Sequence, residues 1–167
     1  NIEMRDPLMD CDVACFGCVQ THGWRQERNI SWPHQLKLMT GMSIMNYGIY
    51  SSNTNEITSL VEHYIKNFKA ETILVYLPHN FKRQVIKEGE LENVGPQDPV
   101  NSELVWHGAE HSIAVLTGEL YQWLEKISSQ TKIYFGTYHP SEYELYHKTK
   151  LKKYMIPDLN HHSYPNA

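Results

Sequence analysis

A small α/β fold, a mostly parallel sheet with flanking helices, is what this sequence predicts, and three observations carry the expectation. The chain has 167 residues, one domain's worth. Short β-branched runs alternate with stretches of helical periodicity, the pattern that builds parallel sheets with helices on their faces. Finally, 41% of the residues are hydrophobic and 20% charged, enough apolar material to close one core and unlike a disordered chain. Residues 1–167 are therefore expected to form a single domain. Within it, 1–55 is a loop-rich region holding a cysteine motif and 56–167 carries strand–helix repeats.

The first region is punctuated by Gly17, Gly23, Pro33, Gly41 and Gly48 and by the cluster Ser51–Asn55. Asn53 with Glu56 three positions later has the spacing of a capping box. Ile57, Leu60, Val61, Tyr64 and Phe68 then recur at helical steps. Thr72–Leu77 is a short β-branched run, a buried strand stopped by Pro78. Glu88–Asn101 is turn-like and acidic, and Leu104–Trp106 is a short strand ending at Gly108. Leu120, Trp123, Leu124 and Ile127 mark a second helix, and Ile133–Phe135 is a strand ended by Gly136. Pro140-Ser141, with Glu144 in capping-box register, opens a third helix. Lysines 148, 150, 152 and 153 suit its carboxyl end, where the macrodipole favours cations. Ligands of parallel sheets sit outside the carboxyl ends of the strands, so His107–Glu110 and Gly136–His139 are expected to face one crevice.

Charge and hydropathy narrow the function. The formal net charge of −4 advertises no basic face for a phosphate backbone, so nucleic acid is not an expected partner. No run approaches the roughly 18 apolar residues of a membrane span. Asn1–Cys11 carries acids and a proline where a signal peptide needs an apolar stretch, so a cytoplasmic protein is expected.

The three cysteines, Cys11, Cys15 and Cys18, fall within eight residues. An odd, tightly clustered set is a poor disulfide framework, and clustered thiols more often hold a metal. The spacing C-x3-C-x2-C can wrap one corner of a cubic 4Fe–4S cluster, leaving one iron open to a small molecule. With His22 added, C-x3-C-x2-C-x3-H equally spells a Cys3His zinc site.

C-x3-C-x2-C is the signature of the radical S-adenosylmethionine superfamily. Gly17, Gln20 and Trp24 around it resemble the anaerobic ribonucleotide reductase activating proteins, whose motif runs C-x3-C-x-G-C-x-N-x3-W; Gln20 replaces the usual Asn. The segment LVWHGAE (104–110) resembles the strand ending in Gly-Gly-Glu/Asp that receives the S-adenosylmethionine amino group, with Ala109 in place of the second glycine. KIYFGTY (132–138) resembles a later strand and turn. The resemblance implies a reduced, partial-barrel-like sheet and a 4Fe–4S cluster on Cys11, Cys15 and Cys18. S-adenosylmethionine would be held by Gly108, Ala109, Glu110, Gly136, Thr137 and Tyr138. It further implies reductive cleavage to a 5′-deoxyadenosyl radical, a reduced electron donor, and a large glycyl radical enzyme as partner.

A rival resemblance lies in GTYHPS (136–141), which is similar to a late motif of thermostable-type uracil-DNA glycosylases. Their Gly-Glu-x-Pro-Gly motif is missing, and a charge of −4 suits a phosphate backbone poorly. A zinc-stabilised binding module without catalysis is the third expectation.

Overall fold

A computed structural model of the chain describes residues 4–23, 30–50, 52–78, 83–94, 109–137 and 140–156. Strand β1 (Cys11–Gly17) begins the sheet. Its run Val13–Phe16 is apolar at consecutive positions, as a strand buried on both faces requires, and all four residues are buried. The single turn α1 (Val19–His22) ends on Gly23 at φ 71°, a left-handed conformation that glycine adopts without a Cβ penalty. Helix α2 (Trp32–Thr40) follows, with Pro33 in its first turn, and leads to β2 (Ile44–Gly48).

Helix α3 (Thr54–Asn67) starts with the expected capping box. The Asn53 side chain accepts from the Glu56 N–H at 3.0 Å, and the Glu56 carboxylate accepts from the Asn53 N–H at 2.8 Å. Next come β3 (Ala70–Leu77) and a hairpin of β4 (Arg83–Lys87) and β5 (Glu90–Val94). The hairpin turns through Glu88 (φ 51°) and Gly89 (φ 85°), the paired positive values of a two-residue type I′ turn. Helix α4 (Ala109–Ser128), strand β6 (Lys132–Thr137), helix α5 (Pro140–His147) and a 3-10 turn at Lys150–Tyr154 complete the described chain.

The sheet has the order β2-β1-β3-β6, and every pairing in it is parallel. It therefore winds outward from β1 in both directions, an open order rather than the consecutive order of barrel staves. One face packs Ala14, Phe16, Ile73, Val75, Leu77, Ile133 and Phe135 beneath α3, α4, α5 and the 3-10 turn. The other face packs Val13, Cys15 and Ile44 against Trp32 and Leu36 of α2. Phe16, Tyr47 and Tyr64 form an aromatic triad with centroids 5.3–5.6 Å apart. Among the described residues no helix is long and apolar enough to cross a membrane.

The parallel sheet with flanking helices is what the sequence predicts, yet the region expected to be loop-rich is not. Residues 11–55 supply β1, α2 and β2. Cys11 and Cys15 count there as strand residues, since a free cysteine packs as a small hydrophobe. Strand β5 falls inside the stretch expected to be turn-like. The third helix opens at Pro140 as expected; within it Glu144 is exposed, whereas Glu142 is 2% exposed and accepts from the Tyr146 hydroxyl at 3.0 Å. The strand expected at Leu104–Trp106 lies outside the described residues.

Candidate functional site

The chain leaves the carboxyl end of β1 through α1, which lies on the strand ends, to α2 on one face. The helix that returns from β2 to β3, and the helix that precedes β6, lie on the opposite face. Where neighbouring strands send their connections to opposite faces, a crevice opens outside their carboxyl ends. Here that switch in direction falls between β1 and β3. Register places Gly48, Gly17, Tyr76 and Gly136 in one row across the sheet just inside this edge. Beyond the row come Cys18, Ile49, Leu77 and Thr137.

The two glycines at the ends of β1 and β2 let α1 lie directly on the strand ends. A Cβ on Gly17 would collide with Thr21 Oγ1 and stand 2.8 Å from the Tyr76 carbonyl; one on Gly48 would collide with the His22 backbone nitrogen. Buried hydrogen bonds then pin the turn. Asn46 Nδ2 donates to the Thr21 carbonyl at 2.7 Å while Asn46 Oδ1 accepts from the Gly48 N–H at 2.9 Å. Trp32 Nε1 donates to Thr21 Oγ1 at 3.1 Å. Arg5 donates to the carbonyls of His22 and Gly23 at 2.8 and 2.6 Å, the cationic end-cap that a helix carboxyl end favours. On the β2 side the Ile49 N–H donates to the Gly17 carbonyl at 2.9 Å, and Ser52 Oγ donates to the Ile49 carbonyl at 3.0 Å. The Cys18 thiol donates to Gln20 Oε1 at 2.9 Å.

The three cysteines do not converge. Cys11 lies beside the α3 layer, its sulfur 3.3 Å from the Tyr64 hydroxyl. Cys15 is fully buried in the small cluster on the opposite face. Cys18 lies past the far end of a strand whose six residue steps span about 20 Å. Two thiolates on one zinc ion are no more than about 4.6 Å apart, given Zn–S near 2.3 Å. The cysteines therefore fit neither a shared 4Fe–4S cluster nor a Cys3His22 zinc site. Among the described residues no group of three or more His, Cys, Asp or Glu is placed to hold a metal ion. Burial pushes the Cys15 thiol well above its ordinary range and also raises that of Cys11, so both stay protonated at neutral pH. Burial likewise raises Tyr47 to about 12 and raises Tyr64 further.

Of the residues implied to hold S-adenosylmethionine, Gly136 and Thr137 stand at the carboxyl edge. The Tyr76 ring covers Gly136 so closely that an added Cβ would lie 3.2 Å from it, and Thr137 is buried. Ala109 and Glu110 form the first residues of α4, while Gly108 and Tyr138 lie outside the described residues, as does Trp24. The residues that build the edge, Asn46, Trp32 and Ser52, escape sequence reasoning. Their one signal is indirect: Gly17 and Gly48 each close a short apolar run. No protein-family model, curated protein or solved structure matches this chain.

Proposed function

We propose that the chain binds a small uncharged polar molecule across the carboxyl ends of β1 and β3, against Cys18, Gln20, Asn53 and Thr137. One observation carries the reading: α2, which follows β1, and α4, which precedes β6, pack on opposite faces of the sheet, and the loops after β1 and β2 are pinned at this edge by hydrogen bonds, two of them buried. A site held in place before the ligand arrives loses little ordering entropy on binding. The exposed Gln20 amide is the group that offers hydrogen bonds to a guest, and the buried Cys18, Asn53 and Thr137 beneath it carry no charge, so the edge suits hydroxyl, carbonyl or amide partners rather than a charge. No step of this function runs through a metal. Neither the radical chemistry nor uracil excision implied by the two resemblances is favoured by an observation at this edge.

The test is a titration of the full 15N-labelled chain with adenosine, N-acetylglucosamine and inorganic phosphate. At least one uncharged probe is expected to shift the amides of Cys18–Gln20, Ile49, Ser52–Asn53, Leu77 and Thr137, with phosphate inert. Shifts confined to the opposite edge, at Cys11, Ser43, Ala70 and Thr131, would overturn the reading. So would no shift with either uncharged probe.

A further inference from the structure

Helix α5 ends at His147, and the chain continues Lys148-Thr149-Lys150-Leu151-Lys152-Lys153. The 3-10 turn holds this segment fixed: Leu151 is 1% exposed and Tyr154 8%, and the Thr149 hydroxyl caps the turn by accepting from the Leu151 N–H at 3.2 Å. With those two side chains anchored in the core, Lys148, Lys150 and Lys152 are left exposed as a ridge. Lys153 bonds Glu125, but the other three make no ion pair among the described residues. Glu144, one turn before Lys148, is exposed and pairs with none of them. The macrodipole of α5 accounts for Lys148 alone, because its pull fades within the last turn. Three like charges within five residues repel one another, so a fold that fixes them together favours an anion able to meet several at once. The ridge stands apart from the carboxyl-edge crevice. The Tyr154 and Ser128 hydroxyls meet at 3.1 Å at the carboxyl end of α4, which leads into the opposite, amino end of β6.

An aromatic surface adjoins the ridge. Tyr143 packs half-buried against the core, and His147, one turn on, stacks on it with the rings 20° from parallel and their centroids 5.8 Å apart. His147 is itself exposed. Cations that track phosphates beside a flat ring that takes a base are what an unpaired strand rewards. A duplex keeps its base faces stacked inside. An anionic bilayer offers charge but takes inserted apolar side chains, whereas Leu151 and Tyr154 between and after the lysines are buried. We infer that His147, Lys148, Lys150 and Lys152 bind single-stranded nucleic acid, the lysines on successive phosphates and the imidazole against a base. The net charge of −4 averages this ridge away, which is why composition points elsewhere.

The test is a titration of the full 15N-labelled chain with an oligothymidylate of about eight nucleotides. The amides of His147–Lys153 are expected to move saturably. Three neutralised phosphates predict that affinity falls about twentyfold from about 50 to about 200 mM salt. Lys148→Gln, Lys150→Gln and Lys152→Gln combined should abolish the shifts, whereas Lys37→Gln on α2 should leave them unchanged. His147→Ala should weaken the oligothymidylate about fivefold and leave the weaker binding of an abasic strand of the same length unaltered, a difference that a merely structural role for the imidazole does not produce. Amides of His147–Lys153 unmoved at low salt overturn the proposal, as does an abasic strand bound as tightly as the oligothymidylate. Cosedimentation with phosphatidylserine vesicles, without any response to the oligothymidylate, overturns it in favour of an anionic bilayer.

Discussion

Among the described residues, nineteen buried side chains form the cluster beneath α3, α4, α5 and the 3-10 turn, against three, Val13, Cys15 and Ile44, beneath α2. The same strand feeds both: Ala14 and Phe16 point one way, Val13 and Cys15 the other. A sheet covered so unequally draws most of its hydrophobic stabilisation from one side, since that term scales with apolar area removed from water. The difference also governs the cysteines. Alternation along β1 assigns Cys15 to the smaller face, whereas Cys11 meets Tyr64 on the larger one.

Truncation on each face tests this inequality and should give the largest effect. Leu124→Ala, in the fully buried middle of the larger cluster, is expected to lower the urea unfolding free energy by about 2–5 kcal/mol. Leu36→Ala, at a partly buried position on α2, should cost less than about 2 kcal/mol, because less area leaves water. Equal losses would mean that the two faces carry equal weight.

A smaller effect belongs to the rim of the larger face, where α4 is clasped to the 3-10 turn. Lys153 bonds the Glu125 carboxylate, and Tyr121 and Tyr154 add hydrogen bonds. The Lys153 ammonium, then the two phenols, hold the Glu125 carboxyl down to about 2. A carboxyl lowered in the folded state adds stability that is fully present above the unfolded value near 4.3 and is lost as pH falls through about 2. Glu125→Gln should therefore be less stable than the parent at pH 6, with the gap closing between about pH 4.3 and pH 2. The pair is exposed, so added salt should narrow the gap at pH 6 as well. A gap that is constant with pH would show that the clasp contributes through packing alone.

Helix α3 and strand β3 are legible in the sequence because each joins periodicity to an explicit start or stop, the Asn53/Glu56 box and Pro78; strand β6 is legible from its apolar run, but it continues through Gly136, the expected stop, to Thr137. Strands β1 and β2 are not. The first is apolar at consecutive positions and loses the alternation that identifies a half-exposed strand, and its cysteines draw attention to metal instead. The second, Ile44–Gly48, is five residues long and contains Asn46, a poor strand former whose side chain is satisfied by the Thr21 carbonyl and the Gly48 N–H of the folded turn. The position of the candidate site, at the carboxyl edge, follows from strand–helix alternation. Its construction does not, because Arg5, Trp32, Asn46 and Ser52 reach the α1 turn or the carbonyls beside it from separate parts of the chain.

Separation of the three thiols over two faces and both ends of β1 is open to a single decisive trial, anaerobic reconstitution of the full chain with iron and sulfide. The geometry requires a colourless protein after desalting, with all three cysteines alkylated once it is unfolded. A brown protein retaining about four irons, bleached by Cys15→Ala while its fold persists, would show that Cys11, Cys15 and Cys18 meet at one cluster, against the strand described here.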